Sequence, residues 1–353
     1  MKYSRKQEWH DLVLRWAKEN PDKPKIDIYR RLVFEMNFAK NISQRDCPTY
    51  NSVKAYLYRN RTLWQKDDIV EKMKKGYVEV IDDCAMINEQ KKEQHIALQN
   101  QEPKQHERKW NGDRVLKFAI VGDTQMGSKY TQLTYLQDFY DICQIEGITD
   151  VYHTGDITDG LKMRIGHEYE LYQNSADGQL NDVIKNYPMR EGITTHFITG
   201  NHDAALYKQV GMDIGKAISA ARPDLHYLGR DCAVVNLTPN CTLELRHPWD
   251  GTAYALSYKI QKMIEAMEAD SKPNILAVGH YHKAEYLFYR NVHCLQTGCF
   301  QSQTPYTRGK GISVQLGGWI VTIHVDKSGS IWRFAPEFVP YYKSIKDDYK
   351  NFD

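Results

Sequence analysis

The stretch FAIVGDTQMGS, residues 118–128, decides how the central part of this chain folds. An apolar run ends there at Gly122-Asp123, and the polar Gln125 follows two residues after the carboxylate. Other apolar runs also end in polar residues: DVYHTGD (150–156), THFITGNHD (195–203), TLELRH (242–247) and NILAVGHYH (274–282). Helix-like segments separate these runs, so the pattern predicts an α/β domain with its chemistry at the carboxyl ends of the strands.

The composition excludes several classes of protein. The chain has 353 residues and a net charge of +2, so it is not basic enough overall to bind nucleic acid by charge alone. Its seven cysteines, without a C-x-x-C pair, indicate free thiols in a reducing compartment. The N-terminus lacks the apolar core of a signal peptide, and no stretch approaches the roughly 18 apolar residues of a membrane span. We therefore expect a cytoplasmic protein that does not enter a membrane.

Residues 1–65 are expected to form a small basic domain of three short helices. Trp9, Leu12, Val13 and Trp16 recur at helical spacing in the first of them. Lysine and arginine are about twice as frequent here as aspartate and glutamate, a balance typical of a nucleic-acid contact. The arrangement resembles a helix-turn-helix, although a solvated basic face on an ordinary bundle is the alternative. The candidate nucleic-acid contacts on the third helix are Lys54, Arg59 and Arg61.

Two further segments follow this domain. Residues 66–112 are rich in Lys, Glu and Gln and are interpreted as a charged, partly helical linker. Residues 113–353 are assigned to the α/β domain. Near its end, GGWIVTIHV (317–325) and IWRFAPEFVP (331–340) are expected to form a hairpin that finishes a second sheet.

The polar residues at the predicted strand ends point to a metal site. A single Asp after a strand, such as Asp123, more often just opens a loop. The sequences GNHD (200–203) and GHYH (279–282) are harder to explain as turns, because each combines several residues of metal-binding type. Carboxylate and amide oxygens suit hard metals, whereas imidazole suits borderline ones. The mixture therefore predicts a dinuclear site for Mn, Fe, Zn or similar ions.

The same motifs, in this order, resemble those of the calcineurin-like metallophosphoesterases, in particular the nuclease-like branch. The resemblance covers about residues 115–340, and five ordered motifs are far more specific than any one of them. It implies a four-layer αββα sandwich, here following the small all-α N-terminal domain. The matching segments are Asp123-Thr124-Gln125, Gly155-Asp156-Ile157-Thr158-Asp159, Gly200-Asn201-His202-Asp203, His247 and Gly279-His280-Tyr281-His282.

The resemblance also implies a role for each residue. Asp156 would bridge two divalent ions, which would clamp the phosphoryl oxygens and activate a water molecule for attack on phosphorus. His202 would act as an acid on the leaving oxygen or hold the phosphate, and Asp203 would orient its ring. The ligands would be Asp123, Gln125 and His282 for one ion, and Asn201, His247 and His280 for the other.

The assignments of His247 and Gln125 as ligands have alternatives. His247 stands outside a dense motif and competes with His153, His196 and His226, of which the first two lie inside apolar runs as expected of core histidines. His247 is favoured because it ends a predicted strand. Gln125 departs from the family, which usually has histidine there. Gln125 could be a weak ligand, hold a water molecule, or mark a partly lost site for the first ion. An oxygen-rich ligand shell favours Mn, with Fe, Zn, Ni or Mg as alternatives.

The preferred function is hydrolysis of phosphodiester bonds in nucleic acid, most of all DNA, because a basic helical domain tethered to a phosphodiesterase would concentrate DNA at the site. The first alternative is a phosphatase or a cyclic-nucleotide or small-molecule phosphodiesterase whose helical domain binds protein. The second is a DNA-binding protein with a vestigial metal site. Arg308 and Lys310 are candidate substrate contacts. The domain pairing would suit a phage or bacterial enzyme, and the oligomeric state stays open, a homodimer included.

Overall fold

The computed structural model describes residues 5–19, 25–34, 50–59, 103–251 and 253–352. The chain divides into two compact units, residues 1–101 and residues 102–353. Most of the segment interpreted as a linker therefore lies outside the described residues, as does Arg61. No helix in the described ranges is long and apolar enough to cross a membrane.

The first unit contains the three helices that the apolar spacing predicts, at α1 (Arg5–Glu19), α2 (Lys25–Phe34) and α3 (Tyr50–Arg59). Their apolar faces meet in one cluster that includes Val13, Trp16, Leu32, Val53 and Leu57. Lys54 points away from this cluster and is exposed. The side chain of Arg59 lies outside the described residues, so its predicted nucleic-acid contact stays a prediction.

The second unit is built from two six-stranded sheets with helices around them. Its strands are β1 (Lys104–Glu107), β2 (Val115–Val121), β3 (Asp150–His153), β4 (Thr194–Thr199), β5 (Leu225–Arg230), β6 (Cys232–Thr238), β7 (Cys241–Arg246), β8 (Ile275–Val278), β9 (Ala284–Tyr289), β10 (Val292–Thr297), β11 (Leu316–Val325) and β12 (Ile331–Tyr341). Its helices are α4 (Leu133–Ile145), α5 (Ala176–Asn186), α6 (Asn201–Val210), α7 (Ile214–Ala221), α8 (Tyr258–Ala266) and α9 (Pro305–Gly309), with single 3-10 turns at His167–Glu170 and Asp348–Asn351.

The first sheet has the strand order β12-β11-β2-β3-β4-β5. Strands β2 to β5 run parallel, so the polar ends of β2, β3 and β4 lie at the same edge. The predicted hairpin is β11–β12, but it does not finish a second sheet: β11 pairs antiparallel with β2, with Trp319 opposite Ile120. Both faces of β11 are buried over residues 316–321, which is the burial expected of an interior strand.

The second sheet has the order β1-β6-β7-β8-β10-β9. Strand β1 pairs in parallel with β6, with Lys104 opposite Ala233. Residues 104–107 thus belong to the folded domain, and the interpreted linker ends before 112. Alternation of polar and apolar residues is absent from KQHE, so the sequence offered no strand signal there.

The two sheets pack face to face. Alternate side chains of β2 point to opposite sides of its sheet, so this strand contributes both to the layer between the sheets and to the outer layer. Phe118 and Ile120 pack in one cluster with Val235, Leu243 and Ile275 of the second sheet. On the outer face, Ala119 and Val121 pack in a cluster with residues of α4, α5 and α7. Helix α8 covers the outer face of the second sheet through Ile260 and Ile264. The expected αββα layering is confirmed.

Candidate metal centre

The candidate ligands lie on strained backbone. Ten described residues other than glycine have a positive φ, and five of them are expected metal ligands. Such a φ is sparsely populated for residues with a Cβ and tends to mark functional sites, where the surrounding structure enforces it. The five are Asp123 (50°), Gln125 (51°), Asp156 (55°), His280 (77°) and His282 (54°).

Asp156 lies at the centre of the site and is almost fully buried. Its Oδ1 accepts a hydrogen bond from the backbone N–H of His202 at 2.8 Å. Its Oδ2 lies 3.1 Å from Nε2 of His247 and 3.1 Å from Nε2 of Gln125. Burial favours the neutral acid, but His247 and His202 outweigh it and hold the pKa of Asp156 well below its ordinary value. The carboxylate is therefore ionised and available to a cation.

His247 shows why this cluster fits a metal ion. Its Nδ1 donates to the carbonyl oxygen of Thr154 at 2.8 Å, which directs the lone pair of the neutral ring to Nε2. That Nε2 faces two oxygen atoms, Oδ1 of Asn201 at 3.0 Å and Oδ2 of Asp156 at 3.1 Å. Three electron-rich atoms converge, and a divalent cation or a proton on Nε2 is needed to hold them together. Without a cation, Asp156 outweighs the effect of burial and raises the pKa of His247 to about 9.

The two histidines of the GHYH motif join this arrangement from the end of β8. The backbone N–H of His280 donates to Oδ2 of Asp123 at 2.9 Å, and Nε2 of His282 lies 3.3 Å from Oδ1 of Asp123. Nε2 of His280 lies 2.7 Å from the carbonyl oxygen of Asp250, which leaves its Nδ1 free to bind a metal. Ligand atoms of Asp156, His247 and His280 all lie within 4.8 Å of one another.

Gln125 is fully buried beside these ligands. Its amide nitrogen donates to Asp156, and its Oε1 has no hydrogen-bond partner. Nδ1 of His282 is likewise buried without a partner. Unpaired buried acceptors are costly unless something binds them, so these two atoms also fit a site for divalent cations. The structure thus brings all seven expected ligands together around Asp123 and Asp156.

His202 lies beside the centre, but Asp203 does not orient it as expected. Nδ1 of His202 lies 2.7 Å from the carbonyl oxygen and 3.2 Å from carboxylate Oδ1 of Asp159. Burial lowers the pKa of His202, but the carboxylates of Asp156 and Asp159 outweigh it and raise the pKa to about 9. The orienting residue is therefore Asp159, the last residue of the GDITD motif.

Asp203 binds backbone N–H groups instead of His202, because of its position in α6. Residues adjacent in a helix point in different directions, and its side chain at the third helical position reaches back to the N-terminus. Its carboxylate accepts hydrogen bonds from the backbone N–H groups of Gly200, Ile157 and Thr158 at 2.8–3.1 Å, and from the hydroxyl of Thr158 at 2.7 Å. Asp203 thus fastens the GNHD loop to the GDITD loop.

His167, which was not predicted from the sequence, packs against His202 with ring centroids 6.0 Å apart. It is fully buried, and its Nε2 lies 3.4 Å from Oδ2 of Asp159. Asp159, His167 and His202 form a second group whose ligand atoms lie within 4.8 Å of one another. His167 begins the 3-10 turn at His167–Glu170 and does not follow a strand, so no local pattern distinguished it from a surface histidine.

The competing histidines occupy structural positions. His153 is buried and hydrogen-bonded to the hydroxyl of Thr124 at 3.1 Å, and burial lowers its pKa to about 4. His196 lies 3.1 Å from Asp150 at the far end of β3. His226 is exposed on β5. Of the four candidate histidines, His247 is the one that contacts Asp156 and Asn201, in agreement with the choice made from the sequence.

A cavity of about 470 Å³ opens onto the centre. Its lining includes Asp156, Asn201, His202, His280 and His282. Lys310 also lines it, whereas Arg308 is exposed and is not among the lining residues; contact of either with a substrate stays a prediction. Two residues that sequence reasoning passed over, Arg164 and Tyr306, line the same cavity.

An αββα sandwich with ionised carboxylate, amide and imidazole groups at its strand ends defines the class of metal-dependent phosphoesterases. The family comparison agrees with this class: residues 116–281 match the family model described as calcineurin-like phosphoesterase. This stretch therefore carries the sequence pattern of a calcineurin-like phosphoesterase domain, which agrees with the expectation of a hydrolase that acts on phosphate esters.

Among curated proteins, the chain is similar to the DNA polymerase II small subunit of Methanothermobacter thermautotrophicus, with 25% identity over 189 residues. The match spans 44% of this chain and 39% of that relative. Among solved structures, an archaeal phosphodiesterase aligns with 64% of this chain and 100% of its own, at 12% identity and a TM-score of 0.36. The 5'-nucleotidase precursor of Thermus thermophilus aligns with 67% of this chain and 57% of its own, at 10% identity and a TM-score of 0.38.

Proposed function

We propose that this protein hydrolyses phosphodiester bonds of nucleic acid, with DNA as the preferred substrate, in a reaction that needs two divalent metal ions. The observation that carries the metal dependence is the position of His247, whose Nε2 faces oxygen atoms of both Asp156 and Asn201. Such a convergence of nitrogen and oxygen atoms at a cavity suits cations that bind phosphate.

Asp156 would be shared between the two ions. Asp123, Gln125 and His282 would complete the first ligand set, and Asn201, His247 and His280 the second. Mn fits this mixture best, because the first set includes a neutral amide and is rich in oxygen. When bound, such ions neutralise the phosphoryl oxygens and make a water molecule acidic enough to act as a nucleophile near neutral pH.

His202 supplies the proton that the leaving oxygen needs. Asp156, whose charge the ions would offset, and Asp159 both raise the pKa of His202. Asp159 also accepts from Nδ1, so Nε2 is the atom left to act as the acid. The ring lines the cavity and is partly exposed there, so a substrate can reach it. Asp203 does not take part in proton transfer; it holds the loop that carries His202.

DNA is proposed as the substrate on two grounds outside the metal centre. The basic helices of residues 1–65 offer Lys54, on the exposed face of α3, as a phosphate contact. The curated relative is a subunit of a DNA polymerase, which supports a nucleic-acid context for this family branch. Tethering a phosphodiesterase to such helices raises the local concentration of its substrate.

The experiment is hydrolysis of labelled single- and double-stranded DNA by metal-stripped protein to which Mn²⁺ is returned, with bis(p-nitrophenyl) phosphate assayed in parallel. Asp156→Ala should abolish turnover of both substrates, whereas Asp270→Ala, a change at an exposed turn, should retain it. Turnover of the small diester alone would indicate that the substrates of this protein are nucleotides or phosphoproteins. DNA binding without turnover under any metal would identify the site as vestigial.

A further inference from the structure

A basic and aromatic surface lines the same cavity as the candidate metal ligands. Tyr306, the second residue of α9, is 42% exposed and lines the cavity together with Arg164 and Lys310. The guanidinium carbon of Arg164 lies 4.2 Å from the centroid of the Tyr306 ring. Nζ of Lys310 lies 5.9 Å from the same centroid. We call the Arg164 and Tyr306 side chains the cavity wall.

Glu170 holds both parts of the cavity wall in place. It is 7% exposed, and its Oε2 forms an ion pair with Nη2 of Arg164. Its Oε1 accepts a hydrogen bond from the backbone N–H of Tyr306 at 3.3 Å. One buried carboxylate thus joins the loop of Arg164 to the helix of Tyr306. The stacked pair is fixed before a ligand arrives, which reduces the entropy that binding must overcome.

The chemistry of the cavity wall indicates what it binds. A tyrosine ring and a guanidinium plane both stack on flat aromatic groups. Glu170 compensates the charge of Arg164, and the positive charge of Lys310 suits an anion beside them. A surface pair of this kind commonly does no more than stabilise a loop. Here, however, the pair lines the same cavity as His202 and Asp156, where a phosphate would react. A nucleotide combines a flat base with a phosphate and so offers both groups.

We propose that the cavity wall binds an unpaired nucleobase next to the scissile phosphate, so that the protein acts on single-stranded DNA or on unpaired ends. This inference rests on the proposed function and specifies its substrate. A cavity of about 470 Å³ is of the size that holds one small ligand rather than a duplex. Bases stack on protein side chains only after they leave the base-paired stack.

The test compares two single strands with the same phosphodiester backbone, one of thymidine nucleotides and one of abasic tetrahydrofuran units. Both are assayed with the full-length protein and Mn²⁺. Tyr306→Ala should lower kcat/KM on the thymidine strand about tenfold, as expected for the loss of one base–aromatic stack, and should leave the abasic strand unchanged. Tyr306→Phe, which keeps the ring, should retain activity on both strands.

Tyr342→Ala is the matched control, because Tyr342 is 91% exposed and does not line the cavity. It should change neither strand. An equal loss on both strands in Tyr306→Ala, or no loss on either, would overturn the inference while leaving the nuclease proposal intact. If the wild-type protein cleaves neither strand with Mn²⁺, the proposed function itself fails, and the inference with it.

Discussion

The carbonyl oxygen of Asp159 lies 2.7 Å from Nδ1 of His202, and the carboxylate of the same aspartate lies 3.2 Å from that nitrogen. Two oxygens of one residue thus fix the orientation of the ring and place a proton on Nδ1. The opposite oxygen of the carboxylate lies 3.4 Å from Nε2 of the buried His167. Asp159 is therefore the residue through which the protein controls its candidate acid.

The first prediction concerns this control. Asp159→Asn removes the charge that helps keep His202 protonated, but the backbone oxygen still holds Nδ1. We expect kcat to fall by about 10- to 100-fold with KM and metal content nearly unchanged. Steady-state kinetics and metal analysis of the purified variant test this. Loss of bound metal would show instead that Asp159 is a ligand.

The second prediction concerns Asp203 as a structural fastener. Asp203→Ala leaves three backbone N–H groups of the two catalytic loops without their acceptor. We expect a loss of at least about 2 kcal/mol in the free energy of unfolding, measured by urea denaturation. Asp213→Ala, which removes a partly exposed N-cap from α7, is the control and should cost about 1 kcal/mol. Equal losses in the two variants would contradict the special role of Asp203.

The third prediction concerns the amide at the first metal set. Gln125→His replaces a neutral oxygen donor, buried without a partner, by an imidazole that binds transition metals more strongly. We expect tighter Mn²⁺ and Zn²⁺ binding in calorimetric titrations of metal-stripped protein. Unchanged affinity for both ions would show that the side chain at position 125 does not contact a metal.

The fourth prediction concerns acid stability at the start of β3. Oδ2 of Asp150 accepts hydrogen bonds from Nε and Nη2 of Arg108 at 3.0 and 2.9 Å. Burial raises the pKa of Asp150, but His196 and Arg108 outweigh it and lower the pKa from 3.8 to about 2. A carboxyl whose pKa falls on folding stabilises the protein above its unfolded pKa, and this contribution disappears as the pH falls toward the folded value.

We therefore expect Asp150 to contribute about 2 kcal/mol at pH 6, lost progressively between about pH 5 and pH 2. Urea denaturation at several pH values in this window measures it. Asp150→Asn should flatten the dependence of the unfolding free energy on pH relative to the wild type. An unchanged slope in that variant would assign the acid sensitivity to other carboxyls.

The fifth prediction concerns the basic N-terminal helices. Reversing the charge at Lys54, Arg59 and Arg61 in the full-length protein should weaken DNA binding and reduce the salt dependence of the binding constant. The logarithmic slope should fall by about 0.9 for each DNA phosphate that the variant no longer neutralises. Turnover of bis(p-nitrophenyl) phosphate should not change. Equal DNA affinity before and after the reversal would leave these helices without a role in substrate binding.

Sequence patterns predicted the candidate ligand set, because these residues follow apolar strands closely. Asp123 and Asp156 come two and three residues after β2 and β3, and parallel strands bring their ends to the same edge of the sheet. The αββα layering followed from the family resemblance rather than from periodicity. The sequence did not predict which sheet the β11–β12 hairpin joins, nor the strand at Lys104–Glu107. The pairing partners of both depend on distant strands.

The sequence by itself determined which residues lie together at the candidate metal centre, because strand ends and their loops are local in the chain. Only the tertiary structure decided which aspartate serves His202, since helix α6 turns the adjacent Asp203 toward the backbone and brings Asp159 from another loop. It also decided that Arg164 and Tyr306 stack in the cavity, although 142 positions separate them in the sequence. Contacts between distant segments depend on how the layers pack, and no local pattern encodes that packing.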